Sequence, residues 1–178
     1  MHRLFVAIRP PASIRSQLLD IMGGVSGARW QSDEQIHLTL RFIGEVDGRQ
    51  ADDIHAALSG VRQAPFDIAL AGLGTFDRRG EPTALWAGVN PREALSDLHR
   101  KVDQACQRAG LSPEGRAYHP HITLARLNRS SGPVGGMLAA EGGLSSLPFT
   151  VSAFHLFESH LTPSGPIYRI AETYPLNP

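Results

Sequence analysis

The chain has almost no cysteine, no excess of either charge and no long apolar run, and each shortage closes off a class of protein. Cys106 is its only cysteine, so neither an intramolecular disulfide nor a thiolate metal cluster can form. It falls on an apolar helical stripe, where cysteine behaves as a small core residue. Lysine and arginine number 17, aspartate and glutamate 17, and charged residues make up only 19% of the chain. A protein that wraps long nucleic acids needs a basic surface with many phosphate contacts, and this balance excludes one. The first apolar run, Leu4 to Ile8, stops at Pro10-Pro11. It is too short for a signal-peptide core or a membrane span, so the expectation is a cytoplasmic protein with no membrane partner.

What the chain does have is enough apolar residue for a core, 42% of 178 positions. That length fits one domain burying roughly 70% of its unfolded surface. It also has eight histidines, almost half the number of lysines and arginines together. Histidine changes charge nearest neutral pH, so the placement of these eight is the first question.

An internal echo organises them. Leu4-Phe5-Val6-Ala7-Ile8-Arg9-Pro10 resembles Leu85-Trp86-Ala87-Gly88-Val89-Asn90-Pro91, His37-Leu38-Thr39-Leu40 resembles His121-Ile122-Thr123-Leu124, and Pro65-Phe66-Asp67-Ile68 resembles Pro148-Phe149-Thr150-Val151. The offsets are 81, 84 and 83 residues, in the same order. Ile14, Leu18, Ile21 and Met22 recur at helical spacing before Gly23-Gly24. Leu95, Leu98, Val102, Cys106 and Ala109 draw a longer stripe, with Asn90 as N-cap and Pro91 at the first helical position. Further helices are expected at about 50–61 and 134–140, and strands at 66–71, 73–76, 85–89, 149–157 and 167–171. The expectation is an α+β, internally duplicated, two-lobed fold: two antiparallel sheets facing each other across a central cleft, with helices outside. Residues 1–178 form one bilobal unit of pseudo-repeats, about 1–84 and 85–178, with strands open to exchange between lobes, and the unit is expected to be a monomer.

The strand period of two puts His37, Thr39 and Arg41 on one face and Ile36, Leu38, Leu40 and Phe42 on the other. The second copy puts His121 and Thr123 together, opposite Ile122 and Leu124. An imidazole, a hydroxyl and a guanidinium in a row do not stabilise a sheet face. They suit acid–base chemistry at phosphorus, where one group takes a proton from the attacking oxygen and another protonates the leaving oxygen. The threonine hydroxyls and an arginine can hold the non-bridging oxygens. A zinc site lacks ligands, because neither motif contains Asp, Glu or Cys and Asp33 and Glu34 would need a reversing loop.

The remaining candidates lie close by. Arg126 falls opposite His121 by strict alternation, so either a bulge or the strand end turns it toward the cleft, or it points outward. Phe42 belongs to the core face, with base stacking as the minor alternative. His119 and Tyr118 lie on the approach to His121, as rim residues or substrate contacts. The other histidines have no repeated partner, and Arg78-Arg79-Gly80 and Arg129 read as loop charges just outside the centre.

These segments resemble the two-histidine phosphoesterase superfamily, and most closely its RNA 2',3'-cyclic phosphodiesterase branch, also known as 2'-5' RNA ligase. The likeness rests on Leu4 to Ile8, Trp30, His37 to Val46, Leu85 to Val89, Pro120 to Arg126 and Phe157-Glu158-Ser159. It implies hydrolysis of a terminal 2',3'-cyclic phosphate on RNA without metal or cofactor. It further implies that His37 is the proton donor and His121 the proton acceptor, that loss of the 3' oxygen leaves a 2'-phosphomonoester, and that RNA ends can be joined through a 2'-5' linkage. Two rivals stand beside it: an enzyme acting on small nucleotide cyclic phosphates or 2'-5' linked oligonucleotides, and a non-catalytic module that binds RNA ends.

Overall fold

A computed structural model describes residues 1–178. The elements run β1 (His2–Ile8), α1 (Ala12–Ile21), β2 (Arg29–Trp30), β3 (Leu38–Val46), α2 (Gly48–Leu58), β4 (Phe66–Arg78), β5 (Glu81–Asn90), α3 (Glu93–Arg108), β6 (Ile122–Arg126), α4 (Gly135–Glu141), β7 (Phe149–Val151), β8 (Ala153–Thr162) and β9 (Gly165–Pro175). A 3-10 turn, Asp33–Gln35, precedes β3. The helical stripes fold as expected: α3 buries Leu95, Leu98, Val102, Ala105 and Cys106, and α2 buries Ile54 and Leu58 beneath an Asp47 cap that accepts a hydrogen bond from Gln50 N. No helix is long and apolar enough to cross a membrane.

Several details differ from the sequence expectation, and the strand expected at 149–157 divides into β7 and β8. Asn90 does not cap α3; it is the last residue of β5, paired with Ala69, and the helix starts at Glu93 behind Arg92. The ladder claims the backbone that a cap would need. The strands expected at 66–71 and 73–76 are one strand, β4, whose register shifts between Leu70 and Leu73 around Gly72 in the left-handed region.

The strand order is β7-β4-β5-β6-β3-β1-β8-β9, antiparallel throughout, with β2 added on β6. The fold is therefore α+β and duplicated, and at its centre β3 and β6 meet edge to edge through one registered pair, Leu38 opposite Ile122. These two residues hold equivalent places in the echo. So do Asp67 and Thr150, which pair where β4 meets β7. Antiparallel pairing of equivalent residues marks an approximate two-fold axis. The fourth strand of each half hydrogen-bonds to the first strand of the other, β4 with β5 and β8 with β1. One cluster of 32 buried residues runs through both halves.

Twin bulges decide which side chains reach the site. Between β1 and β3 the register passes from Ala7 opposite Thr39 to Val6 opposite Arg41, leaving Leu40 unpaired. Between β5 and β6 it passes from Trp86 opposite Thr123 to Leu85 opposite Ala125, leaving Leu124 unpaired. An extra residue reverses the alternation beyond it. Leu40 and Arg41 are consequently both buried, and Leu124 and Ala125 likewise, while Phe42 and Arg126 turn to the histidine face.

Arg41 thus takes a place the strand period did not give it, and it is the one buried charged residue of the chain. Its Nε donates to Asp103 Oδ1 of α3 at 2.8 Å, and its terminal nitrogens donate to the carbonyls of Phe42 and Ser112. Burial pushes the Asp103 carboxyl up, but hydrogen bonds from Arg41, Glu114 N and Gln107 outweigh it and hold the group below its ordinary value. The pair side chains are 8% and 14% exposed. Removing one partner leaves the other charge buried and alone, so Asp103→Ala is expected to cost about 3–5 kcal/mol in urea unfolding. A loss under 1 kcal/mol would contradict the assignment of this pair to the fold.

Candidate active site

Both histidines sit immediately before their strands, and both are held in the same way. His37 Nδ1 lies 2.7 Å from the carbonyl oxygen of Gln35, and His121 Nδ1 lies 2.7 Å from that of His119. A carbonyl only accepts, so Nδ1 carries the proton in each ring and the neutral imidazole leaves Nε2 as its acceptor. The Gln35 carbonyl is itself fixed. The Gln35 side chain accepts from Ser32 N at 3.0 Å and donates to the Pro166 carbonyl at 2.9 Å, locking the 3-10 turn against β9. The Thr39 hydroxyl lies 3.0 Å from His37 Nε2 and donates to it while the ring is neutral. Thr123, on the equivalent position beside His121, is half-buried and makes no side-chain hydrogen bond within the chain.

Aromatic rings wall each imidazole. Phe5 and Tyr168 lie 4.9 and 5.3 Å from the His37 ring, and Phe157 stacks behind Phe5 at 5.0 Å. Phe76 lies edge-on to His121 at 4.7 Å, with Trp86 at 6.1 Å. Trp86 lies over Gly74, where a Cβ would meet the indole at 2.3 Å, so glycine is what lets the ring lie flat there. Phe5 and Trp86 occupy equivalent slots in the echo, a signal that was available in the sequence. Tyr168 and Phe76 have no such echo and emerge only from the fold.

Burial governs the charge of both rings. It pushes the His37 pKa down to about 4; the Gln35 carbonyl pulls the other way, while Arg126, His121 and Arg9 lower it further. His121 is lowered as well, by burial first and then by the charges of His119 and Arg126, against the pull of the His119 carbonyl.

Two cavities meet at the motif. One of about 590 Å³ opens beside His121, over Phe42, Phe76, Tyr118 and His119. Another of about 230 Å³ opens beside His37, Phe5 and Tyr168. Thr39, Phe42 and Arg126 line both. The bulge route by which Arg126 turns inward is therefore the one the fold takes. Phe42 reverses its expected place: it is 50% exposed at the junction instead of in the core. Arg41 touches the larger cavity, but its guanidinium is committed to Asp103 and two carbonyls, so its expected role as a phosphate ligand is corrected. Tyr118 is also spoken for. Its hydroxyl donates to the Thr39 carbonyl at 2.9 Å, and its ring stacks on His99, whose Nδ1 donates to the Leu40 carbonyl. It clamps the segment entering the second motif onto the first. His119 stays exposed at the rim, edge-on to Trp86 at 4.9 Å.

Two histidines held alike by one duplicated fold mark the two-histidine phosphoesterases as a class. Within that class the chain belongs to the 2'-5' RNA ligase superfamily, whose family model matches residues 10–163. The chain is 38% identical over 140 residues to the RNA 2',3'-cyclic phosphodiesterase of Aeropyrum pernix, across 77% of this chain and 80% of that one. It is 34% identical over 170 residues to the RNA 2',3'-cyclic phosphodiesterase of Archaeoglobus fulgidus, across 94% and 96%. The crystal structure of a phosphoesterase superposes with a TM-score of 0.81 at 25% identity, covering 99% of both chains.

The ring geometry and the depressed pKa values have direct readouts. Long-range proton–nitrogen spectra at pH 7 are expected to give both rings as the Nδ1–H tautomer, with His37 gaining its second proton only near pH 4. An Nε2–H tautomer in either ring would contradict the geometry. The unfolded ring takes its proton near 6.5, so between 6.5 and about 4 protons favour the unfolded chain. The stability His37 contributes above that window is lost as pH falls through it. His37→Gln should flatten this part of a stability-against-pH curve.

Proposed function

We propose that the chain hydrolyses terminal 2',3'-cyclic phosphates on RNA to 2'-phosphomonoesters, by acid–base catalysis from His37 and His121. The observation that carries this reading is the pair of Nε2 atoms, fixed by identical hydrogen bonds to the carbonyl two residues upstream and related by the approximate two-fold axis. Water, deprotonated by His121 Nε2, forms a bond to phosphorus. The bond from phosphorus to the 3' oxygen breaks, and His37 Nε2 supplies that oxygen's proton, leaving a 3'-hydroxyl and a 2'-phosphate. The order of donor and acceptor follows the superfamily likeness. Arg126, Thr39 and Thr123 hold the non-bridging oxygens, where transition-state charge gathers. A 5'-hydroxyl in the place of water would instead join two ends by a 2'-5' linkage, and the cavity of about 590 Å³ beside His121 has room for its nucleoside.

This reading treats residues 1–178 as one bilobal unit of two pseudo-repeats, about 1–84 and 85–178. Support comes from the paired equivalents Leu38–Ile122 and Asp67–Thr150. Both histidines come from the same chain, as a monomeric enzyme requires. No group of three or more His, Cys, Asp or Glu side chains is placed to hold a metal ion, and each step above is written with side chains alone.

The test is product analysis in EDTA with RNA ending in a 2',3'-cyclic phosphate. A 2'-phosphate is expected, and His37→Ala and His121→Ala should each lower kcat by roughly 10²–10⁴-fold. A 3'-phosphate product, or full activity in either variant, would sink the mechanism. Parent-like turnover on nucleoside cyclic phosphates alone would move the assignment to small nucleotides.

Turnover also needs one imidazole charged and the other neutral, so the rate follows a bell against pH. Both rings are depressed, which centres the bell for kcat/KM below about 6.5. Its limbs belong to the pair rather than to either ring. Bound phosphate is negative and raises an imidazole pKa, so the alkaline limb of kcat should lie above that of kcat/KM. Removing the Arg126 charge should lift it in the free enzyme too. A kcat/KM optimum above pH 8 would contradict this account.

A further inference from the structure

A third cavity, of about 500 Å³, belongs to no part of the acid–base machinery. It lies between the tip of the β4–β5 hairpin and the loop after β6, and Arg78, Arg79 and Arg129 line it together with Glu81, Thr83 and Asn128. None of the three arginines forms an ion pair or donates a side-chain hydrogen bond within the chain, although Glu81 shares the same wall. Three arginines lining one cavity with a single carboxylate on the same wall repel one another, and a chain of zero net charge has no compositional excess to account for them.

The backbone beneath them is fixed. Leu127 N donates to the Thr83 carbonyl at 3.0 Å, tying the loop to β5. Asn128 Oδ1 accepts from Ser130 N at 2.9 Å and from the Ser130 hydroxyl at 2.6 Å. At the hairpin tip, Arg79-Gly80 forms the two-residue turn joining Arg78 to Glu81, and Arg79 is the only non-glycine residue of the chain with positive φ, at 53°. Glycine, asparagine and aspartate are the usual occupants of such a turn. A long arginine there carries backbone strain, which persists where the side chain has a use.

The hollow is built on two segments of chain that also reach the histidine site. Phe76, against the His121 ring, precedes Arg78 by two residues of β4, about 7 Å of strand. Arg126, at the cavity junction, precedes Arg129 by three. We propose that Arg78, Arg79 and Arg129 bind the phosphodiester backbone of the RNA strand leading to the cyclic end. Guanidiniums match phosphate oxygens in paired geometry. The wall offers no aromatic ring for a base, so the contact grips the backbone without reading sequence. This rests on the reading of the site as an RNA-end phosphodiesterase and adds the place where the strand is gripped.

The test uses the full chain with two variants, Arg79→Asn and the double variant Arg78→Ala with Arg129→Ala. Substrates are oligoribonucleotides ending in a 2',3'-cyclic phosphate and the corresponding nucleoside cyclic phosphate. Both variants should lose several-fold in kcat/KM on the oligonucleotide at low salt and keep parent turnover of the nucleoside. The slope of log affinity against log salt should become shallower by about 0.7 for each phosphate contact removed. Arg79→Asn should also be at least as heat-stable as the parent, which separates lost charge from lost fold. Equal losses on both substrates, or an unchanged oligonucleotide rate and salt slope, would overturn the proposal. If the parent turns over neither substrate, the reading of the histidine site fails on its own. The hollow is then judged by anisotropy with a labelled oligoribonucleotide ending in a 3'-hydroxyl: weaker binding by the variants supports it, and equal binding overturns it.

Discussion

One antiparallel residue pair, Leu38 opposite Ile122, determines whether there is a site at all. Both side chains are buried on the core side. By alternation their neighbours His37, Thr39, His121 and Thr123 all face the other way. A slip of one residue in either strand would send two polar side chains into a core and two apolar ones out of it, so the register is defended by hydrophobic burial rather than by the site itself. The single core running through both halves makes the same demand from behind. The geometry of the histidines is thus inherited from ordinary packing, and the chemistry adds little further requirement on the fold.

Much of this was legible in the chain as written. The echo of His37-Leu38-Thr39-Leu40 in His121-Ile122-Thr123-Leu124 carried the duplication, and the helical stripes of α1, α2 and α3 lay where apolar spacing put them. Arg41 and Phe42 exchanged places for a reason the period of two does not contain: a strand bulge depends on the partner strand's register, which is a property of pairing. Arg126 turned inward by the same device. Asn90 looked like a helix cap because local capping rules see only neighbours, whereas its backbone answers to Ala69 twenty-one residues upstream. Tyr168 joined the wall of His37 from the last strand, a distance across the chain that no local pattern spans.

The electrostatics follow from the same burial that fixes the register. The walls of Phe5, Tyr168, Phe76 and Trp86 take water away from the two rings, and that loss is the first cause of their lowered proton affinity. Arg126 adds to it in the free protein. Negative charge between the rings would restore their affinity for protons. A pocket of this kind suits an anion better than it suits water, and the backbone carbonyls of Gln35 and His119 hold both rings in the same orientation.

The twin bulges place Phe42 and Arg126 at equivalent points on either side of the approximate axis, and there the two halves stop being copies. One half offers a flat apolar ring and the other a fixed positive charge. A perfectly symmetric pair of histidines would have no means of telling one side of a bound phosphate from the other. With a ring on one flank and a guanidinium on the other, the two sides are chemically distinct before any proton moves. A protein built by doubling has acquired a sense of direction at the one place where doubling would have erased it.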